Sequence, residues 1–177
     1  MSFVTDELVY AIRVATEQEV ISGSGTGEHM LGILGTSGIL AQSFQTDALT
    51  SVRHAIASLD GQGYVPSVIV LHTYDWRDIE LLTATSGATD VRGVPIDPVE
   101  RKLWGCSVVI NNTLGAKTGL VLGEGAVVID HDGLIETKWT DSVDDDVLKN
   151  QVRCRVESRF GVSVMQPGAV VKVATAA

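Results

Sequence analysis

Seventeen residues near the carboxyl end alternate between two kinds of side chain. Residues 148–164 read LKNQVRCRVESRFGVSV, with mostly apolar even positions and mostly charged or polar odd positions. Because neighbouring side chains of a β-strand point to opposite faces, the pattern predicts one long strand with an apolar face and a charged face. Such a strand would reach about 55 Å, whereas a compact chain of 177 residues is roughly 40 Å across. The sequence therefore predicts an elongated subunit, with a bend at Gly161 and a neighbouring chain that covers the strand.

The segment before this strand predicts its partner. Residues 134–140, LIETKWT, favour a strand that forms a hairpin with residues 148–164 around an acidic turn. The turn contains four carboxylates, Asp141, Asp144, Asp145 and Asp146. Clustered oxygen ligands could hold a hard cation. A solvated hairpin tip explains them more simply, and we expect no metal there.

Composition limits the classes of partner. A net charge of −9 and a pI near 4.7 argue against nucleic acid as the principal ligand, because phosphate binding needs clustered Lys and Arg. The 45% hydrophobic content excludes a disordered chain. Cys106 and Cys154 lie in apolar strand-like segments, which favours buried free thiols in a reducing compartment. With no signal peptide and no membrane-length apolar segment in the sequence, we expect a soluble protein made in the cytoplasm, without a membrane partner.

The chain begins with a predicted helix that ends at a glycine-rich turn. Thr5 or Asp6 would cap the helix, and Gly23 would end it. Its apolar stripe consists of Val4, Leu8, Ile12 and Ala15. Because apolar residues are already present at Phe3 and Val4, we expect this helix to be the remnant of a longer one. Residues 23–35 predict a sharp structural turn; a phosphate cradle is disfavoured, since a helix precedes them and no Gly-Lys-Ser/Thr follows.

The middle of the chain predicts alternating helices and strands. Asp47 would cap a helix over 48–59 that directs Leu49, Val52, Ile56 and Leu59 inward. Further elements are predicted as follows: a strand at 67–72, buried on both faces, a helix at 75–83, a surface loop at 86–98, and strands at 103–111, 118–123, 126–130 and 169–175.

Motifs for catalysis are scarce. The sequence has no HExxH, no GxSxG, no EF-hand loop and no CxxC pair, and its four histidines lack ligand spacing. His72 and Asp75 could form half of a catalytic dyad. A helix cap by Thr73 or Asp75 explains this segment more simply. We therefore expect no enzyme activity, no catalytic residue, no cofactor and no metal.

Four segments, in order, resemble the major capsid proteins of tailed bacteriophages with the HK97-type fold. They are EQEVISGSGTGEHMLGIL (17–34), VIVLHTYDWRDIELLTATSG (68–87), KLWGCSVVINNTLGAKTGLVLGEGAVVID (102–130) and DDDVLKNQVRCRVESRFGVSVMQPGAVVKV (144–173). The resemblance covers most of the chain. It implies an α+β structure with an axial domain that contains a mixed sheet and flanking helices, and a partial peripheral domain that contains a spine-helix remnant and a long hairpin.

The resemblance also implies a domain division and a function. Residues 1–38 and 131–165 would form the peripheral domain, 39–130 the axial domain, and 166–177 a strand that returns to the axial domain. The chain would assemble with itself into pentamers or hexamers of an icosahedral shell, in the host cytoplasm and then in the virion. Family members usually have an amino-terminal arm, an extended loop and a longer spine helix, which this sequence lacks. The alternative is therefore a truncated satellite or prophage homologue that binds a full-length capsid protein and modifies its assembly.

Some members of that family crosslink their subunits through an isopeptide bond between Lys and Asn, with a Glu as base. Asn150 and Glu157 stand where that Asn and Glu would be, and by strand parity they would lie on opposite faces. The attacking Lys would belong to the extended loop that this chain lacks. Glu157 would otherwise pair with Arg155 or Arg159. We therefore do not expect a crosslink in this chain.

Overall fold

The computed structural model describes residues 2–81, 101–133 and 135–177, and it contains both helices and strands. The helices are α1 (Ser2–Ser22), α2 (Ala48–Gly61) and α3 (Thr73–Glu80), and short 3-10 turns occur at Ile33–Gly35 and Pro167–Ala169. The strands are β1 (Leu40–Gln42), β2 (Pro66–Leu71), β3 (Lys102–Leu103), β4 (Cys106–Ile110), β5 (Thr118–Gly123), β6 (Val127–His131), β7 (Glu136–Thr140), β8 (Arg153–Glu157), β9 (Phe160–Val164) and β10 (Val170–Ala174). This mixture confirms the predicted α+β class.

Six of these strands form one mixed sheet in the order β1-β10-β5-β2-β4-β3. β10 and β2 both run antiparallel to the central β5, whereas β1 runs parallel to β10 and β4 runs parallel to β2. The last strand of the chain therefore lies inside the sheet. Its position pairs residues 170–174 with residues that are 48 or more positions away in sequence.

The six-stranded sheet is covered on both faces. On one face, α2 and α3 pack against β2, β5 and β10; the buried residues there include Leu49, Val52, Ile56, Leu59, Trp76, Ile69, Leu71, Val121, Val171 and Val173. On the other face, Val70, Leu120 and Val170 pack with Ile21 and Ile33 from the end of α1 and the turn after it. Successive residues of β2 belong to opposite clusters, which confirms the predicted two-sided burial of this strand.

The capping of α2 was predicted correctly and that of α3 was not. The Asp47 carboxylate accepts a hydrogen bond from the Thr50 backbone N–H at 2.6 Å and begins α2 as expected. In α3 the N-cap is His72, whose Nδ1 accepts from the Tyr74 backbone N–H at 3.2 Å. Asp75 instead lies buried and accepts from the Lys117 backbone N–H at 3.1 Å. The predicted end of this helix at residue 83 and the loop at 86–98 lie outside the described residues.

Helix α1 differs from its prediction at its beginning. It starts at Ser2, so Thr5 and Asp6 lie within the helix instead of capping it, whereas its end before Gly23 is as predicted. Of the predicted stripe, Leu8 and Ile12 are half-buried, while Val4 and Ala15 are exposed. Only the central part of this stripe therefore packs within the chain.

The predicted strand over 103–111 is two strands joined by a tight turn. Trp104 and Gly105 both have positive φ angles, 49° and 85°, and Leu103 pairs with Cys106 across them. A two-residue hairpin loop of this kind needs positive φ at both positions, which Gly105 adopts readily. β3 is consequently a short edge strand of the sheet.

The two remaining strand pairs form one long two-stranded ribbon. β6 pairs with β9 and β7 pairs with β8, both antiparallel, so residues 127–140 run along residues 153–164. The pairing register shifts between the His131–Phe160 pair and the Glu136–Glu157 pair, so a bulge interrupts the ribbon at residues 158 and 159. The predicted hairpin is therefore confirmed, but the interruption occurs at 158–159, and Gly161 lies within β9 and is paired with Asp130.

The alternating pattern was predicted correctly over only part of its length. From Arg153 to Val164 the even positions are half-buried and the odd ones, Gly161 aside, are exposed. Residues 148–152 are turn or irregular structure instead of strand, and Leu148 is 88% exposed. The chain winds there because backbone N–H groups of Lys149 and Gln151 donate to the Asp146 carbonyl oxygen.

Candidate assembly surfaces

The glycine-rich segment folds back onto the end of α1 and is held by Glu19. The Glu19 carboxylate accepts from the Met30 backbone N–H at 3.2 Å and lies 2.6 Å from Nδ1 of His29. The backbone N–H of Gly32 donates to the Gly23 carbonyl oxygen at 3.0 Å. These contacts make the segment the sharp structural turn that the sequence predicted.

Gly23 and Gly32 are required because two backbone segments meet at this turn. A Cβ atom on Gly23 would lie 2.3 Å from the Met30 carbonyl oxygen, and one on Gly32 would lie 2.4 Å from the Gly23 nitrogen. Real Cβ atoms do not approach backbone this closely, so a larger residue would force the segments apart. The turn therefore determines how α1 leaves the sheet.

The ribbon has a charged face on which like charges stand opposite each other. Glu136 pairs with Glu157 across the strands, and Lys138 pairs with Arg155 in the next row. Within each strand the opposite charges meet: Lys138 Nζ lies 3.0 Å from Glu136 Oε1, and Arg155 Nε lies 3.0 Å from Glu157 Oε1. The side chains of all four are between 49% and 61% exposed. The face is therefore a row of negative charge beside a row of positive charge.

The hairpin tip is organised by a buried carboxylate. Asp146 is 1% exposed, and its two oxygens lie 2.6 Å and 2.9 Å from the Nε and Nη2 atoms of Arg153. Nη2 donates a hydrogen bond to Oδ1, whereas the contact of Nε with Oδ2 is an ion pair without hydrogen-bond geometry. The expectation of a solvated tip is thus wrong for Asp146, although Asp144 and Asp145 are exposed.

Apolar side chains surround this tip on the outside. Val147, Leu148 and Val152 are 66%, 88% and 55% exposed. Trp139 and Val143 add partly exposed apolar area beside a cleft of about 630 Å³ lined by β7 and β8. Adjacent exposed apolar side chains are typical of surfaces that another protein covers.

A second concave surface lies between α1 and the ribbon. Ile12 and Thr16 line one cleft of about 440 Å³ with Val156 and Phe160, and an adjoining one of about 420 Å³ with Ile129. Further along α1, Phe3 and Tyr10 are 73% and 65% exposed. The helix therefore packs on the chain along one side only.

The two residues considered as a catalytic dyad, His72 and Asp75, both have structural roles. The Nδ1 atom of His72 and the carboxylate of Asp75 both bond backbone N–H groups, which accounts for the arrangement that resembled a dyad. Among the described residues no group of three or more His, Cys, Asp or Glu side chains is arranged to hold a metal ion. Within the same residues no helix has the length and apolarity to cross a membrane.

The two cysteines are free, as predicted, but differ in burial. Cys106 is buried in β4 and Cys154 is half-buried in β8. Burial, with a smaller contribution from the nearby Asp60 carboxylate, raises the pKa of the Cys106 thiol, while Arg53 opposes the shift. At neutral pH the Cys106 thiol is therefore protonated and unreactive.

The two candidate crosslink positions do not lie on the same strand. Glu157 is the last residue of β8 and carries the predicted ion pair with Arg155. Asn150 is an exposed turn residue with a φ of 52°, so the parity argument that placed it opposite Glu157 does not apply. The expectation that no crosslink forms through these two residues stays an untested prediction.

The charged rows of the ribbon were not identified from the sequence. The sequence shows Glu136 and Lys138 two positions apart on one segment, and Arg155 and Glu157 two positions apart on the other. Which charges oppose each other depends on the register of the hairpin, and a shift of two residues would pair unlike charges. The signal was present, but only the structure supplies the register.

With this geometry established, comparisons identify the relatives of the chain. The phage capsid family model matches residues 1–175. The major capsid protein of Enterobacteria phage HK97 is 27% identical over an alignment of 177 positions, and the match covers 97% of this chain and 45% of that protein. This chain therefore spans less than half the length of that curated relative.

Solved capsid structures share the fold. A structure of Gordonia phage Cozz matches with a TM-score of 0.77 at 14% identity, over 99% of this chain and 63% of that one. The capsid of an empty GTA particle matches with a TM-score of 0.75 at 16% identity, over 99% of this chain and 66% of that one. The sheet, helix, glycine turn and ribbon together therefore make the HK97-type fold, and the chain belongs to the phage capsid family.

Proposed function

We propose that this chain is a structural shell protein that assembles with copies of itself into pentamers or hexamers of an icosahedral shell. It assembles in the host cytoplasm and resides in the virion capsid, and it has no enzymatic role. Family membership supports a structural role. The relative from phage HK97 carries the name major capsid protein.

The observation that carries this proposal is the ribbon. An isolated two-stranded hairpin is marginally stable in water, and three or more strands or a covering layer are normally needed. Here β7 and β8 form such a hairpin, α1 lies against part of β8 only, and the tip beyond them presents Val147, Leu148 and Val152 to solvent. Contact with neighbouring subunits would supply the missing cover.

The domain division belongs to the same proposal. The axial domain would comprise 39–130, the peripheral domain 1–38 and 131–165, and residues 166–177 would return to the axial domain. The strands of the six-stranded sheet lie at 40–42, 66–71, 102–103, 106–110, 118–123 and 170–174, which supports the assignment of most of these segments. The axial sheet would face the symmetry axis, while α1 and the ribbon would lie at the periphery.

A second candidate function is the modification of assembly of a longer capsid protein. The observation that favours it is the coverage of only 45% of the phage HK97 protein. Such a chain would occupy the place of one subunit through its axial sheet. The longer partner would then supply contacts that this chain does not contain.

Light scattering on a sizing column, with electron micrographs of each peak, separates these candidates. Pentamers, hexamers or closed particles that form from the pure chain support the first proposal. A chain that is monomeric at every concentration contradicts it. A longer capsid protein should then be mixed in, and identical shells with and without this chain would eliminate the second candidate as well.

A further inference from the structure

We infer that the charged face of the ribbon binds the same face of a second copy of this chain around a local two-fold axis. The face is defined by the acidic row, Glu136 and Glu157, and the basic row, Lys138 and Arg155. The inference rests on the proposed function, since it names a contact through which subunits meet.

The like charges that stand opposite each other on the ribbon have a cost within one chain. Like charges directly opposite each other on neighbouring strands destabilise a sheet, and unlike charges stabilise it. Exchange of Glu157 with Arg155 would place unlike charges opposite each other in both rows. The observed order instead relies on same-strand pairs, Glu136 with Lys138 and Glu157 with Arg155. The isolated subunit does not need this arrangement.

The acidic and basic rows are exchanged by a two-fold rotation. Side chains on one face repeat every two residues, so the acidic and basic rows lie about 6.8 Å apart. Rotation by 180° about an axis in the plane of the interface, midway between the rows and perpendicular to the strands, reverses the strand direction. That rotation places the acidic row of one copy over the basic row of the other, twice. A two-fold interface uses the same patch on both subunits, and this patch is complementary to itself.

The net charge of the molecule also favours contact at this face. The chain carries a net charge of −9, so two copies repel each other over most approaches. The two acids and two bases of the face cancel. This face therefore allows close approach where the rest of the surface resists it. Arg153, in the next row, is engaged by Asp146 and Asp144 of its own chain.

A second copy is a better occupant than an unrelated anion or cation. A row of two acids beside a row of two bases presents no net charge to a small ion. Nucleic acid needs a run of cations, which the acidic row interrupts. The four side chains are about half exposed, so the face is open for contact in the single subunit.

The test reverses the rows separately and together. The acidic-row variant carries Glu136→Lys and Glu157→Lys, and the basic-row variant carries Lys138→Glu and Arg155→Glu. A full exchange combines all four substitutions and restores self-complementarity with the same-strand pairs intact. Sedimentation velocity of the full chain at low salt measures self-association, and electron micrographs score shells.

The pairing predicts that each double variant loses about tenfold in association constant, since each loses four opposed ion pairs. The full exchange should recover wild-type association, and an equimolar mixture of the two double variants should associate better than either alone. Net charge alone predicts a different order: the acidic-row variant, reduced from −9 to −5, would associate more strongly than the wild type. Equal association of all variants, or no recovery in the full exchange, overturns the inference.

Folding and function are separated by two further measurements. Circular dichroism melting identifies any variant that fails to fold, and the pair Lys138→Gln with Arg155→Gln then serves as a milder replacement that should lose the salt dependence of association. Shells that form equally from every variant overturn the pairing and leave the proposed function intact. Charge-dependent pairing in a wild-type chain that forms no shells supports the pairing and overturns the proposed function. A wild-type chain that stays monomeric overturns both.

Discussion

The six-stranded sheet and the two-stranded ribbon are built from the same kinds of residue but reach stability differently. The sheet has a covering layer on each face, and Leu59, Ile69 and Val121 are fully buried. The ribbon packs against the sheet near its base, through Val127, Val162 and Val164, and its outer half exposes apolar residues to solvent. The sheet is thus covered within one chain, whereas the outer ribbon is covered only in part, and we propose that a neighbouring subunit covers the rest.

The largest expected difference between these regions is the response to loss of an apolar side chain. Leu59→Ala removes a fully buried side chain from α2 and should lower the free energy of unfolding by about 2–5 kcal/mol in urea titrations. Leu148→Ala, at an 88% exposed position of the tip, should change it by less than about 0.5 kcal/mol. Leu148→Ala should instead weaken assembly. A stability loss of similar size in both variants would contradict the comparison.

The next effect concerns the turn that joins α1 to the sheet. Gly32→Ala places a Cβ atom 2.4 Å from the Gly23 nitrogen and should cost about 1–3 kcal/mol in thermal or urea unfolding. Gly61→Ala is the matched control, because it lies in helix α2 with open space around it. That substitution should stabilise the chain by up to about 1 kcal/mol. Similar losses in both variants would mean that the turn is not tightly packed.

A smaller effect is expected at the ribbon tip. Asp146→Ala removes the partner of Arg153 and should cost about 1–2 kcal/mol, less than a fully buried pair because Arg153 is half exposed. The loss should be local. Hydrogen exchange at the amides of Lys149 and Gln151 should accelerate while that of the sheet does not change. Asp145→Ala, which removes an exposed pair with Lys149, is the control and should have little effect.

The smallest effect is a pH dependence that distinguishes the two thiols. Burial holds the pKa of Cys106 above the ordinary 9.0 in the folded chain. The unfolded chain therefore loses this proton first as the pH rises, and the stabilising contribution, complete below pH 9.0, declines above it. Cys106→Ala should reduce this decline. A thiol reagent should modify Cys154 before Cys106 at pH 8.

Local patterns predicted much of this molecule. Alternation identified the exposed and half-buried faces of β8 and β9, and the Asp47 cap and the spacing of Leu49, Val52 and Ile56 identified α2. These features depend on neighbours within a few residues. The order of the sheet, in which β10 lies between β1 and β5, depends on contacts between distant segments and was not predictable in this way.

The errors also have physical causes. The strand prediction began at residue 148, but the turn at the hairpin tip winds the chain before β8, since the backbone N–H groups of Lys149 and Gln151 donate to the Asp146 carbonyl oxygen. The bend was assigned to Gly161, whereas unequal numbers of residues on the two strands place the bulge at 158–159. In both places the geometry of the whole hairpin, and not the conformational preference of one residue, determines the backbone. The charged rows of the ribbon were not predicted because they depend on the register of the same hairpin.

Amide hydrogen exchange, before and after assembly, tests most directly whether the outer ribbon needs a neighbour. In the dissociated chain, the amides of β7 and β8 should exchange rapidly while those of β2, β5 and β10 are protected. In assembled particles, the ribbon amides should become protected and the sheet amides should change little. A ribbon as protected as the sheet in the dissociated chain, or one whose exchange is the same in both states, would contradict the account.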